Sequence, residues 1–329
     1  MGLTTFSGPV RSNGGFIGPS LNGDFNFTGN YYFVNPLTGS NGYTGNTPAQ
    51  AFQTLAYALS VCTEGNNDVV YLISEVEDGV TTSATLTSNL DWNKDSTHLI
   101  GICAPTLIGQ RARIAASGTS FTPLMTVSAN NCYIANLSIW GGFASGGASN
   151  ITLSVTGDRN AFANVSVQGI ADATAAGGTG ARVMKLDGAG ENTFAGCTFG
   201  IDTIARTAAN YTIEFAGGSV RNVFESCLFP SFATGSGANG AVVYAAASGG
   251  VDRFQLFNNC IFINAVQSSG TAITDLVSLP AAAGGMIVLN NCTTVGFTGL
   301  GTANAVGQTY IDMPAPSNSA GGLAVTPSA

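Results

Sequence analysis

Charge is what this sequence has least of. Of its 329 residues, 10 are Lys or Arg and 18 are Asp or Glu, 9% together, where a soluble globular domain carries roughly 25%. Lysine occurs only at Lys94 and Lys185, and histidine only at His98. The net charge is −8 and no basic cluster exists. A phosphate backbone finds nothing to bind, so nucleic acid is excluded as a partner. One histidine leaves no Ser–His–Asp constellation beyond coincidence. No apolar run reaches the roughly 20 residues of a spanning helix, so no membrane is expected. The seven cysteines include no CxxC pair, which disfavours zinc, and no Asp-rich calcium loop occurs. The opening Met1-Gly2-Leu3-Thr4-Thr5-Phe6 lacks the basic and apolar regions of a secretory leader.

What is present is a repeat. A large apolar residue, two small or polar residues, then Cys, Val or Leu recurs six times: Ile134 to Leu137, Phe162 to Val165, Phe194 to Cys197, Phe224 to Cys227, Phe257 to Cys260 and Leu289 to Cys292. A period of about 30 residues marks stacked units. Each copy follows a short stretch with apolar residues in alternation, such as Met184-Lys185-Leu186, Ile213-Glu214-Phe215 and Val242-Val243-Tyr244. That is the rhythm of strands and not of helices. Gly, of which there are 44, joins Asn and Ser at the connections, as tight corners require. Short strands, tight corners and no helical filler predict an all-β, right-handed parallel β-helix. Equivalent side chains should then stack about 4.8 Å apart. Phe162, Phe194, Phe224 and Phe257 form one internal column, and Cys197, Cys227, Cys260 and Cys292 another. The cysteines read as small buried hydrophobes, with disulfides as the alternative.

Four segments follow. Residues 1–30 space apolar side chains singly among Gly, Pro, Ser and Asn, and cannot bury a core of their own. They read as an extended arm with Phe6, Pro9, Val10, Arg11, Phe16 and Ile17 as its contacts. Residues 31–66 hold an entry strand and a capping helix. Thr47-Pro48 is its expected start, and Ala51, Phe52, Leu55, Ala58, Leu59 and Cys62 are its apolar face. Residues 67–299 form the β-helix, with Asp68 to Ile73 as the first rung and Leu99 to Ile102 plus Leu107-Ile108 as the second. Residues 300–329 read as a cap or tail.

Two resemblances add to this. Tyr32-Phe33-Val34-Asn35-Pro36, Gly39-Ser40-Asn41-Gly42, Asn46-Thr47-Pro48 and Ala51-Phe52-Gln53-Thr54-Leu55 are similar to the entry segment of pectate-lyase-like β-helix proteins. Thr5-Phe6-Ser7-Gly8-Pro9-Val10-Arg11-Ser12 with Gly15-Phe16 resembles the opening of structural proteins of tailed bacteriophages. The first resemblance implies polysaccharide chemistry carried by acidic side chains with an Arg or Lys base, or by paired aspartates. The second implies a virion component.

The search for catalytic side chains finds a bland answer. Arg159, Glu191 and Arg221 fall one rung apart and read as a charge ladder. Asn160, Asn192 and Asn222 read as an amide ladder beside it. Asp158-Arg159 and Asp252-Arg253 read as solvated corners, Asp202 and Arg206 as loop residues, and His98 as structural. Trp92 and Trp140 read as packing, with a sugar-binding surface as the alternative. The expectation is therefore a non-enzymatic protein of a tailed-bacteriophage virion, a capsid decoration or cement protein made in the host cytoplasm. Its arm would bind the major capsid protein or other virion proteins. It would form a homo-oligomer, a trimer by resemblance, with no cofactor, no metal site and no catalytic residue. The alternative is a tail spike or fibre that binds or degrades polysaccharide.

Overall fold

A computed structural model describes residues 27–77, 80–116, 122–142, 147–266, 269–281, 283–302, 305 and 309–312. The arm contacts Phe6, Pro9, Val10, Arg11, Phe16 and Ile17 lie outside the described residues. Apart from one ribbon, Val76–Glu77 against Val80–Thr81, every strand pairs in parallel. The chain winds as a right-handed parallel β-helix with a 16-stranded and an 8-stranded sheet.

Each turn repeats one path. A strand such as Thr193–Ala195 is followed by a two-residue corner, Gly196-Cys197, and a second strand, Thr198–Phe199, stays in the same large sheet. A longer loop then crosses to the smaller sheet, where Tyr211–Ala216 runs. The corner needs a left-handed backbone, and its occupants are Asn136, Asn164, Gly196, Ser226, Asn259 and Asn291, with φ between 50° and 57°. Asn and Gly bear that conformation at least cost. The amides also bond along the stack, Asn164 Nδ2 donating to Asn136 Oδ1 at 2.9 Å and Asn291 Nδ2 to Asn259 Oδ1 at 2.6 Å.

The core is a set of files running along the axis. Phe162, Phe194, Phe224 and Phe257 stack with centroids 4.7, 4.7 and 4.5 Å apart. Phe199, Phe229 and Phe262 make a second file at 5.4 and 4.6 Å. Each cysteine thiol donates to the carbonyl of the Phe one rung back: Cys197 to Phe162, Cys227 to Phe194, Cys260 to Phe224 and Cys292 to Phe257, at 3.2–3.4 Å. All seven cysteines are free. Burial pushes the Cys227 thiol far above its ordinary pKa, which leaves it without nucleophilic thiolate.

Two boundaries differ from the sequence reading. The capping helix spans Leu55–Val61, and its N-cap is Thr54, whose hydroxyl accepts from the Tyr57 amide. Thr47-Pro48 instead opens a single 3-10 turn, Pro48–Gln50, because Ala51 returns to extended backbone and Phe52 then pairs with Val34 of the entry strand Tyr31–Val34. All six residues of the expected apolar face are buried all the same. Leu107-Ile108 is not a strand of the second rung. It lies in a loop with both side chains exposed. That loop is fastened to later rungs by Thr198 Oγ1 donating to the Leu107 carbonyl at 2.8 Å and Gln110 Nε2 to the Asn164 carbonyl at 2.7 Å. Among the described residues no helix is long and apolar enough to cross a membrane.

Candidate functional site

The 8-stranded sheet brings charged and aromatic side chains together on one face. Its strands do not alternate simply. Val183 and Met184, Thr212 and Ile213, and Val242 and Val243 are consecutive buried pairs, flanked by Arg182 and Lys185, Tyr211 and Glu214, and Ala241 and Tyr244, of which Lys185, Tyr211, Glu214 and Tyr244 are partly exposed. Parallel register then lines those residues up. One file is Ile151, Arg182, Tyr211 and Ala241, and the other is Ser154, Lys185, Glu214, Tyr244 and Ser278.

Where the files meet, four side chains lock together. The Tyr211 and Tyr244 rings lie face to face, centroids 3.7 Å apart and 1° from parallel. The Arg182 guanidinium sits 4.6 and 5.0 Å from the two ring centroids, a geometry in which the ring quadrupole attracts a cation. Arg182 Nε donates to Glu214 Oε2 at 2.6 Å, and Nη1 donates to the carbonyls of Thr179 and Ala181, both at 2.8 Å. The pair is largely withdrawn from water, with 9% of the Arg182 side chain and 17% of the Glu214 side chain exposed. Beside it Lys185 Nζ pairs with Asp187 Oδ2 at 2.7 Å. Burial, then the neighbouring Tyr244, raises the Tyr211 phenol pKa, keeping it a hydrogen-bond donor. Two rungs on, burial raises the carboxyl of Asp275 above its ordinary value.

Behind this face lies Arg206, which the sequence placed in a loop. It is buried, donates from Nη2 to Thr212 Oγ1 at 2.6 Å, and is held down to a pKa of about 10 by burial and by Arg182. The arrangement offers a rigid aromatic surface beside hydrogen-bonding groups of both signs. That combination suits a sugar, which has apolar ring faces and polar edges. Among the described residues no three His, Cys, Asp or Glu side chains converge as a metal site.

The residues that sequence reasoning weighed lie elsewhere. Arg159 Nε meets Glu191 Oε2 at 2.9 Å and Arg221 bonds Glu191 Oε1, an exposed ladder at the corner between sheets. Arg221 first and Arg159 second hold the Glu191 carboxyl below the usual range. Asn160, Asn192 and Asn222 form a buried amide ladder next to it. The Asn160 amide donates to Asn192 Oδ1 at 2.8 Å, the Asn192 amide donates to Asn222 Oδ1 at 3.1 Å, and Gln255 continues the stack. Asp158 is not simply solvated, since its Oδ1 accepts from the Gly190 amide at 2.8 Å. Trp92 is wholly buried, with Nε1 donating to the Thr97 carbonyl at 2.9 Å. His98 accepts at Nδ1 from the Tyr133 amide at 3.0 Å, and burial lowers its pKa to about 4. Arg182, Lys185, Tyr211, Glu214 and Tyr244 were missed as a group. Aligning the stretches Met184-Lys185-Leu186 and Ile213-Glu214-Phe215 puts Lys185 level with Glu214, but only the strand register adds Tyr244 to that column.

No protein-family model matches the sequence, and neither does any curated protein. Solved structures do share the fold. The pectin methylesterase of Aspergillus niger aligns over 86% of this chain and 83% of its own at TM-score 0.53 and 15% identity. A pectin methylesterase in complex with a hexasaccharide aligns over 85% and 80% at TM-score 0.52 and 17% identity. ORF18 of Geobacillus virus E2 aligns over 82% of this chain and 53% of its own at TM-score 0.52 and 15% identity. These neighbours overturn the expectation of a non-enzyme. The architecture is one on which esterases work, so neither the fold nor the sparse charge argues against catalysis. Arg182, Lys185, Tyr211, Glu214 and Tyr244 converge on the 8-stranded sheet, away from the corner beside the Phe file.

Proposed function

We propose that this chain is a β-helix component of a bacteriophage particle that engages polysaccharide through the outward face of its 8-stranded sheet. The observation that carries the reading is the Tyr211–Tyr244 stack held by Arg182 and Glu214. Here four charged side chains and two tyrosines are ordered by their own contacts. Preorganisation of this kind lowers the entropy lost on binding. The phage assignment is supported by the opening residues and by the shared fold of the viral ORF18.

The test is retention of host surface polysaccharide by the purified protein. Tyr244→Ala should weaken binding at least about tenfold, the loss of one aromatic surface of about 1.4 kcal/mol. Unchanged binding would refute the assignment of this face. A second reading is cleavage of the bound glycan, with Asp275, a half-buried carboxyl two strands on in the same sheet, as the group to test. New reducing ends that disappear in Asp275→Asn would support it.

A further inference from the structure

Two arginines of the large sheet have nothing to pair with. Of the 10 basic side chains only Arg11 lies outside the described residues. Arg159, Arg182, Lys185, Arg221 and Arg253 sit in ion pairs. Lys94 donates to the Ser60 and Cys62 carbonyls, and Arg206 to Thr212 Oγ1. Arg111 and Arg113 have neither a salt bridge nor a side-chain hydrogen bond among the described residues, and the Nε of Arg113 is buried without a partner. Leaving a charged donor orphaned in this way is costly unless something outside the chain satisfies it.

The surroundings of the pair are ordered. Burial alternates along the segment: Gln110, Ala112 and Ile114 are buried, Arg111 is exposed and Arg113 half-buried. The Arg113 guanidinium stands 5.6 Å from the centroid of the Trp140 ring, close enough for the ring to hold a cation. The indole is itself fixed, because the Gly142 backbone lies against it with no room for a Cβ. Next in register after Trp140 comes Gln168, half-buried, with no hydrogen bond to its side-chain amide among the described residues. Gly109, two residues before Arg111, lies beside Gln168 Nε2, so the loop and this amide are neighbours. That loop is pinned to later rungs, and its Leu107 walls a groove of about 540 Å³ on the large sheet, so Arg111 is carried on a rigid support. Burial first and Arg111 second lower the Arg113 pKa, the mark of like charges held close.

We propose that Arg111, Arg113 and Gln168, ordered around Trp140, bind a phosphate group. The pair places two positive charges together in a protein whose net charge is −8. A phosphate monoester carries about −1.5 to −2 at pH 7 on three acceptor oxygens. That matches the charge of both guanidinium groups, which bind phosphate through forked donors, and leaves an oxygen for the Gln168 amide. One pair of arginines is far short of the basic tract that a nucleic acid needs. The phosphate is either the free ion or the ester of a phosphorylated sugar.

Tryptophan fluorescence at constant ionic strength tests this. The protein has two tryptophans, and Trp92 is wholly buried, so Trp140 reports. Inorganic phosphate and glucose 6-phosphate should change the emission saturably, and glucose should not. Tighter binding of the ester assigns the ligand to a phosphorylated sugar, and tighter binding of the free ion to inorganic phosphate. Arg113→Gln should raise the apparent Kd at least about tenfold, the loss of one charge-assisted hydrogen bond. Arg111→Gln, at an exposed position without a partner, gives the same test should Arg113→Gln fail to fold. No saturable change with either phosphate, equal affinity for the monoanion glucuronate, or affinities unaltered in both variants would each overturn the inference.

Discussion

Replacing Phe224 by Ala should strike the β-helix where its stacking is densest. Phe224 is fully buried, lies face-on to Phe194 at 4.7 Å and to Phe257 at 4.5 Å, and takes the edges of Phe199 at 5.8 Å and Phe215 at 6.3 Å. Truncating a buried Phe costs about 3–5 kcal/mol, from lost transfer energy and the cavity left behind. Two stacked ring pairs, each worth about 0.5–1.5 kcal/mol beyond area, place this site at the upper end. Little relaxation is available to close the cavity, since the backbone on either side is fixed by ladders to the rungs above and below. The expected loss is therefore about 4–5 kcal/mol, read as a lower guanidinium midpoint at unchanged slope. Phe224→Leu, which retains most of the volume, should lose about 1–2 kcal/mol. In a solenoid each unit contacts only its neighbours, so hydrogen exchange should quicken first in the strands Thr193–Ala195, Ser219–Glu225 and Val251–Asn258. A loss under about 1 kcal/mol would show that the rungs collapse into the gap and would refute the argument that the file is a rigid stack.

Other outcomes follow from the same contacts. Asn192→Leu leaves the Asn160 amide and the Gly157 carbonyl without their partners and should cost about 2–4 kcal/mol by denaturant titration, since each buried orphan costs about 1–3. His98 titrates near 4 when folded and 6.5 when unfolded. The unfolded chain therefore binds the extra proton, and stability present above about pH 6.5 should fall by up to about 3 kcal/mol as pH drops to 4, a slope that His98→Gln should flatten. Glu191→Gln removes an exposed ladder and should leave the denaturant midpoint and glycan retention unchanged. Glu214→Ala strands the largely buried Arg182 and should weaken both stability and glycan retention, measured side by side.

The sequence determined the coil by itself. A large apolar residue every 30 or so positions, with Cys or Val three further on and Asn or Gly between, is enough to specify rungs, because each copy satisfies the same local demand: an inward Phe, a left-handed corner and an inward Cys. Phe224 is read correctly without coordinates for that reason. What the sequence left open was any property that depends on which residues of different rungs face out together. Arg182, Tyr211, Glu214 and Tyr244 are separated by 29, 3 and 30 positions and form no motif. They meet because parallel register sets Arg182 level with Tyr211 and Glu214 level with Tyr244. Arg206 was hidden for a related reason, since a loop residue is buried only where the next coil folds over it. Leu107 reads as strand by its hydrophobicity, yet it becomes the wall of a groove because hydrogen bonds from Thr198 and Gln110 pin its loop across rungs formed much later in the chain.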